Sequence, residues 1–178
     1  CAVVSAAAIC WGSSSVGQLG RQSSEMVVPP SEASAVDLGV DVWSVVAGLF
    51  HTCALLIDGR AACWGDNSRG QLGTPGVASR GSGASDFAPL VITQLGSSRR
   101  IVELSAGDFH TCARFGDGAC KCWGANGAGQ AGVGHGRDVG LLPVDMGEGL
   151  ASVFFDGEAM AVVASGSQSC VVSTTFQL

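Results

Sequence analysis

The sequence repeats one short unit three times, and this repetition constrains the fold more than any other feature. Each unit opens on Cys-Trp-Gly and, after four intervening residues, reaches a glycine-rich turn of the form Gly-Gln-x-Gly. A chain with such internal repeats folds into similar units that bury their apolar sides against one another. The positions that recur, to which we assign a structural role, are Trp11, Gly12, Gly17, Gly20, Trp64, Gly65, Gly70, Gly73, Trp123, Gly124, Gly129 and Gly132.

A second element precedes two of the three units. It has the form Gly-x-Phe-His-Thr-Cys and contains His51 in one copy and His110 in the other. The leading cysteines fall at positions 1, 53, 112 and 170, so the repeat length is 52, 59 and 58 residues. A period of this size with short apolar runs at residues 42–47, 101–106 and 160–164 predicts propeller blades built of strands. Glycine supplies 27 of 178 residues, which disfavours long helices.

These motifs carry a family resemblance. The pattern Cys-Trp-Gly-x-Asn-x-x-Gly-Gln-Leu-Gly, preceded by Gly-x-x-His-Thr-Cys-Ala-Leu, resembles the repeat of the regulator of chromosome condensation family, in its cysteine-bearing variant. The match runs over essentially the whole chain and is best over residues 53–73. It implies four-stranded blades, usually seven in a closed ring. The last unit departs from the pattern, because Ser165 and Gln168 stand where the other units have glycine and histidine.

Three repeat lengths cannot close a ring, since propellers need about four to eight blades. We therefore expect an all-β partial β-propeller of about three four-stranded blades in an open arc, cut from a longer chain. Assembly of several arcs into one ring is the alternative. The expected units are residues 1–52, which start inside a blade, 53–111, 112–169, which has a degenerate end, and a truncated 170–178.

The spacing of the cysteines predicts three disulfides within hairpins. A three-residue loop ending on a left-handed glycine places Cys53 opposite Cys63. A loop of the same length at residues 116–118 places Cys112 opposite Cys122 in the third unit. In the first unit one residue is missing, and a two-residue loop restores the opposition. Directly opposed strand residues lie within disulfide range. The predicted pairs are Cys1–Cys10, Cys53–Cys63 and Cys112–Cys122, which leaves Cys120 and Cys170 free.

Two alternatives to the disulfides stay open from sequence. The cysteines could be small reduced core residues, because free cysteine is commonly buried. A zinc site built from His110, Cys112, Cys120 and Cys122 is the weaker alternative, since no second Cys-x-x-Cys accompanies it. Oxidised pairs favour an extracellular or surface-exposed location, because cytosolic thiols stay reduced, and reduced cysteines favour the cytoplasm.

The repeated aromatic and histidine positions have structural interpretations. We expect Trp11, Trp64 and Trp123 to pack between adjacent blades, with stacking on a ligand as the alternative. We expect His51 and His110 to be neutral and to tie the turn before each hairpin to a neighbouring backbone group.

Charge and motif content exclude several functions. The net charge is −6, and nine basic residues show one adjacent pair, so a nucleic-acid surface or an anionic membrane partner is not expected. No apolar stretch is long enough to span a bilayer. Nucleophile-elbow and phosphate-loop motifs are missing, and the apparent Gly-x-Gly-x-x-Gly at residues 127–132 is the repeated turn. We expect no enzyme activity, cofactor or metal.

The resemblance implies a rigid propeller whose loops bind other proteins. We therefore predict a non-enzymatic protein-interaction module in which the loops at residues 74–88 and 133–142 form the contact surface. The alternatives are a guanine-nucleotide exchange factor for a small GTPase and an accessory propeller domain of a larger enzyme or receptor.

Overall fold

The computed structural model describes residues 1–21, 27–77, 79–81, 92–96 and 99–175. Within these ranges the chain is built from antiparallel β-strands, with short 3₁₀ turns at Pro30–Glu32, Pro143–Asp145 and Gly147–Gly149. No helix in the described part of the chain has the length and apolar character needed to cross a membrane. The all-β prediction is therefore confirmed.

The strands form successive sheets along the chain. The first group consists of β1 (Ala2–Val4), β2 (Ala7–Ile9), β3 (Gly12–Ser13), β4 (Val27–Val28) and β5 (Ala35–Val36). It is ordered β1-β2-β5, with β3 paired to β4. The second sheet consists of β6 (Val42–Ala47), β7 (His51–Leu56), β8 (Ala61–Asp66) and β9 (Ser79–Arg80), in that order.

The third and fourth sheets contain fewer strands. The third consists of β10 (Ile101–Ala106), β11 (His110–Phe115) and β12 (Cys120–Gly124). A single bridge between Gly124 and Val139 occupies the place that β9 holds in the second sheet. The fourth sheet is the hairpin of β13 (Ala159–Ser165) and β14 (Gln168–Ser173). The second, third and fourth sheets each begin one strand before their leading cysteine, so they cross the expected unit boundaries, which stay a prediction.

The sheets pack face to face, and the burial pattern shows it. All six residues of β7 are buried, because its two faces meet different neighbours. Cys53 and Leu55 join an apolar cluster shared with the third and fourth sheets, whereas Ala54 and Leu56 join a cluster shared with the first strands. Along β14 exposed and partly buried residues alternate, because no sheet among the described residues covers one of its faces. The structure is thus an open arc of stacked sheets, as expected for a partial propeller.

Candidate functional site

The hairpin between β7 and β8 has the register that the sequence predicts. Cys53 pairs directly with Cys63, and Cys112 pairs with Cys122 in the equivalent hairpin of the third sheet. Gly59 has a φ of +85° and Gly118 a φ of +79°, which is the left-handed conformation that the three-residue loops require. The glycine at this position therefore sets the opposition of the two cysteines.

The first hairpin reaches the same arrangement with a shorter loop. Val4 pairs with Ala7, so the loop consists of Ser5 and Ala6, both with positive φ. Disulfides join all three predicted cysteine pairs, whose Cα atoms lie 4.0 Å apart in the first hairpin and 4.1 Å apart in the other two.

The remaining two cysteines, Cys120 and Cys170, are free thiols. Cys120 is buried, and burial raises its pKa to about 11, whereas Cys170 is exposed. Because Cys112 and Cys122 bind each other, the zinc alternative loses two of its four ligands. In the ranges that the structure describes, no group of three or more His, Cys, Asp or Glu side chains could hold a metal ion.

A repeated hydrogen-bond arrangement joins each sheet to the next. The carbonyl oxygen of Gln71, in the glycine-rich turn of the second unit, accepts hydrogen bonds from the Thr111 hydroxyl at 3.0 Å and the Trp123 indole at 2.9 Å. The carbonyl of Gln18 accepts equivalent bonds from Thr52 at 2.8 Å and Trp64 at 3.0 Å. We call this arrangement the inter-sheet joint.

The predicted histidines complete the joint. Nε2 of His51 lies 2.9 Å from the Thr111 hydroxyl, and Nε2 of His110 lies 2.8 Å from the Ser169 hydroxyl. The hydroxyl of Thr111 gives its one hydrogen to the Gln71 carbonyl. The imidazole of His51 must therefore donate from Nε2, which assigns the tautomer with an unprotonated Nδ1.

Burial keeps His51 neutral. Desolvation, followed by the nearby His110, lowers the pKa of His51 from 6.5 to about 4, and burial also lowers the pKa of His110. The sequence prediction of a backbone partner for His51 is wrong, because the partner is the hydroxyl of Thr111 on the next sheet. Sequence alone could not bring together two residues 60 positions apart.

The glycine before each histidine lies under the imidazole. A Cβ atom at Gly48 would overlap the His51 ring and would approach the Gly107 carbonyl oxygen to 2.5 Å. A Cβ at Gly107 would overlap the His110 ring in the same way. In the fourth sheet Ser165 and Gln168 replace this pair together. The glycine and the histidine thus form one packing unit.

The three repeated tryptophans do not behave alike. Trp64 and Trp123 are buried and donate to the turn of the preceding unit, as expected for packing between blades. Trp11 is 41% exposed, so the prediction of packing between blades is wrong for this residue in the structure. The reason is that Trp64 and Trp123 each donate to the glycine-rich turn of the preceding unit, whereas residues 2–9 before Trp11 form the β1–β2 hairpin and not such a turn.

Two asparagines that the sequence analysis did not single out hold the loops that follow the turns. The Asn67 amide accepts from the Leu72 backbone at 2.9 Å and donates to the carbonyls of Thr74 and Val77. Asn126 accepts from the Ala131 backbone at 2.9 Å and donates to the His135 carbonyl. Their recurrence at the same motif position was the signal that could have identified them.

The loop at residues 133–142 lies against the turn of the preceding unit. The Asp138 carboxylate accepts from the Asn126 backbone at 3.0 Å and pairs with Arg69 of that turn at 3.1 Å. The backbone approaches so closely that a Cβ at Gly70 would lie 2.6 Å from the Val139 carbonyl oxygen. Of the predicted loop at residues 74–88, positions 78 and 82–88 lie outside the described residues.

Comparison with known proteins identifies the repeated unit. Residues 44–71 and 101–130 match one profile of the regulator of chromosome condensation (RCC1) repeat, and residues 58–114 match a second. This chain is an RCC1-repeat protein. The family that the sequence motifs resemble is confirmed, and the matched residues include the disulfide hairpins of the second and third sheets.

Relatives and solved structures agree with this assignment. The RCC1-repeat chain is 32% identical over 175 residues to the ultraviolet-B receptor UVR8 of Arabidopsis thaliana. This match covers 97% of this chain and 36% of the relative. Human WBSCR16 has the same fold with a TM-score of 0.76 at 17% identity, over 96% of this chain and 40% of that one. Yeast RCC1 (Prp20), solved bound to Kap60, has a TM-score of 0.72 at 20% identity, and the match covers 94% of this chain and 38% of the yeast chain. The chain thus spans about a third of the curated relative's length.

Proposed function

We propose that this RCC1-repeat chain is a non-enzymatic protein-interaction module, with the loops at residues 74–88 and 133–142 as its contact surface. The observation that carries the proposal is the contact of residues 133–142 with the turn from which residues 74–88 begin. The pair between Arg69 and Asp138 holds the two together. Residues from two successive sheets thereby contribute to one continuous surface.

The composition of the described loop supports a protein partner. Leu141 and Leu142 are 41% and 54% exposed, and Val144, in the turn that follows, is 73% exposed. Arg137 lies beside them and pairs with the buried Asp145 carboxylate at 2.8 Å. Exposed apolar side chains bordered by charged groups are typical of protein contact surfaces.

The relatives add support at the level of the fold. Yeast RCC1 (Prp20) was solved bound to another protein, Kap60, and a second study of Prp20p describes its binding to Gsp1p and histones. These partners belong to the yeast protein. For this chain they support a protein as the class of partner.

The second candidate is guanine-nucleotide exchange on a small GTPase, which some members of the family perform. Three disulfides argue against it, because the thiols of proteins in the cytosol and nucleus stay reduced. A nucleotide-release assay with a panel of small GTPases separates the two candidates, since a binding module leaves the release rate unchanged.

The test of the proposal is affinity capture with matched loop variants. In one variant a glycine-serine linker replaces residues 74–88, and in another it replaces residues 133–137, which leaves Asp138 in place. We expect each variant to lose the captured partner while far-UV circular dichroism shows that it is folded, with a lower melting temperature because β9 or the Arg137–Asp145 pair is removed. The control is Phe154→Ser, because Phe154 is 92% exposed elsewhere on the surface. Capture unchanged in both loop variants would overturn the loop assignment.

A further inference from the structure

The first strand of three sheets contains one extra residue, and that residue is apolar and exposed each time. The pairing of β6 with β7 skips Trp43, the pairing of β10 with β11 skips Val102, and the pairing of β13 with β14 skips Met160. Such bulges turn a side chain out of the regular alternation of a strand. Trp43 is 69%, Val102 36% and Met160 53% exposed, so the repeat places large apolar side chains in solvent.

Two of these bulge residues border a cavity between the second and third sheets. The cavity has a volume of about 210 Å³ and is lined by Trp43, Ile57, Val102 and Arg100, with the backs of β7 and β10 as its floor. Ile57 is itself 52% exposed. The cavity is therefore an open apolar site with one cation at its edge.

A second cavity adjoins the first and is cationic. Its volume is about 380 Å³, and it shares Arg100 and Ile101 with the apolar cavity. Arg60, Arg99 and Arg100 line it together with one carboxylate, Asp58, and these arginines are a third of the nine basic residues in a chain of net charge −6. We call the two cavities together the bulge groove, formed by Trp43, Ile57, Val102, Arg60, Arg99 and Arg100.

The arginines of the bulge groove differ in how they are paired. Arg60 pairs with Asp58 at 2.6 Å and Arg99 pairs with Asp117 at 3.3 Å. The Arg100 guanidinium donates to the Ile57 carbonyl at 3.0 Å and has no carboxylate within ion-pair distance in the part of the chain that the structure describes. Arg100 thus retains donors for an external carboxylate, at the point where the apolar and cationic cavities meet.

We propose that the bulge groove binds an acidic segment of a protein partner, with a large apolar side chain in the cavity at Trp43 and flanking carboxylates on the arginines. The apolar cavity selects the side chain and the cations select its charged neighbours, because complementary charge fixes register and excludes basic competitors. This inference rests on the proposed function in that the chain binds proteins. It adds a second surface, because the groove lies at the 58–60 end of β8 and the loops leave the opposite end.

The test is fluorescence polarisation with labelled peptides and the full chain. The probes are four peptides of the form Glu-Asp-Φ-Asp-Glu, in which Φ is leucine, methionine, phenylalanine or tryptophan. One comparison peptide has alanine at Φ, and the other has lysine at the acidic positions. We expect at least one acidic peptide to bind, the alanine peptide to bind at least tenfold more weakly, and the lysine peptide not to bind. Failure of all four acidic peptides, or equal binding of the lysine peptide, overturns the proposal.

Matched variants locate the binding. Trp43→Ser and Arg100→Gln should each weaken peptide binding at least tenfold, whereas Phe154→Ser, at an exposed aromatic residue that lines neither cavity, should stay within twofold. Melting curves check that each variant is folded. Equal binding by the folded Trp43→Ser and Arg100→Gln variants overturns the proposal.

Two further arms separate the alternatives. Sedimentation velocity tests for a second copy of this chain as the occupant, and a dimer that Trp43→Ser dissociates, without peptide binding, contradicts the proposal. The variant in which a glycine-serine linker replaces residues 133–137 should bind the acidic peptide normally. If both loop variants keep peptide binding and also keep partner capture, the loop assignment fails while the groove assignment holds.

Discussion

His51 on β7 donates from Nε2 to the hydroxyl of Thr111 on β11, 2.9 Å away, and so joins the second sheet to the third. The same hydroxyl donates to the Gln71 carbonyl, which also accepts from Trp123. One buried hydroxyl therefore connects three parts of the repeat. Because buried polar groups are costly when they lose their partners, this joint should respond to pH and to small substitutions.

Acid should weaken the fold through His51. Its pKa is lowered from 6.5 to about 4, so between these values the unfolded chain binds more protons than the folded chain. Stability is then complete above about pH 6.5 and falls as the pH drops toward 4, with a loss of about 2–3 kcal/mol at pH 4.5. Urea unfolding at pH 7.5 and at pH 4.5 measures this loss in the free energy of unfolding.

The control for this pH dependence comes from the repeat itself. Gln168 occupies the position of His51 in the fourth sheet, so His51→Gln copies a residue that the repeat already contains and removes the titrating group. The variant should lose the part of the stability difference between pH 7.5 and 4.5 that His51 contributes, while His110, whose pKa is also lowered by burial, keeps its own part. An unchanged difference would show that other groups cause it.

Gly48→Ala should destabilise the protein, because the new Cβ overlaps the His51 ring and the Gly107 carbonyl. Overpacking of this kind costs about 1–3 kcal/mol. The matched control is Gly127→Ala, where a Cβ meets nothing within 4 Å. The double variant Gly48→Ser with His51→Gln, which copies the fourth sheet, should recover part of the loss. Equal unfolding midpoints for Gly48→Ala and Gly127→Ala would contradict the packing unit.

Thr111→Val should remove the central hydroxyl of the joint and leave the His51 Nε2–H without an acceptor. The expected loss is about 1–3 kcal/mol, the cost of an unsatisfied buried polar group. Thr111→Ser retains the hydroxyl and should be nearly neutral, since Ser169 already makes this contact with His110. Chemical denaturation compares the stability of the two variants. A valine variant as stable as the serine variant would contradict both the assigned His51 tautomer and the role of the Thr111 hydroxyl in the inter-sheet joint.

Thiol counting should find two reactive cysteines among eight in the oxidised, unfolded protein. In the folded protein the exposed Cys170 should react first. Cys120 should be slow, because it is buried and its pKa is raised to about 11. More than two thiols after denaturation without reductant would mean that at least one hairpin disulfide does not form.

Removing the central disulfide should lower stability measurably. For the double variant Cys53→Ala with Cys63→Ala we expect a loss of roughly 2–3 kcal/mol, because the bond closes a short loop. Replacing Cys170 with alanine serves as the control, because this thiol is exposed and unpaired. The prediction is wrong if both variants unfold at the same denaturant concentration.

Local sequence signals sufficed for the hairpins. The positive φ at Gly59 and Gly118, and the two-residue loop at Ser5 and Ala6, set the cysteine registers with no long-range information. The strand predictions at residues 42–47 and 101–106 coincide with β6 and β10 for the same reason. Repetition then predicted the arc, because each buried face needs a neighbour.

Contacts between sheets could not be predicted in the same way. The partner of His51 lies 60 residues away, and its identity depends on how two sheets stack. The exposure of Trp11 depends on which neighbour its unit has, which a motif does not state. The bulge at Trp43 is invisible in sequence, because an apolar residue in a strand is ordinarily assigned to the core.

Site-specific photo-cross-linking is the most direct test of the central claim that the 74–88 and 133–142 loops bind a protein. Benzoylphenylalanine would replace Arg137 in the loop, and in separate proteins it would replace Phe154 or Val172 on surfaces that the account leaves free. We predict that the protein labelled at position 137 yields one dominant cross-linked partner, while labels at positions 154 and 172 do not. The same partner cross-linked equally from all three positions, or from position 172 alone, would contradict the account.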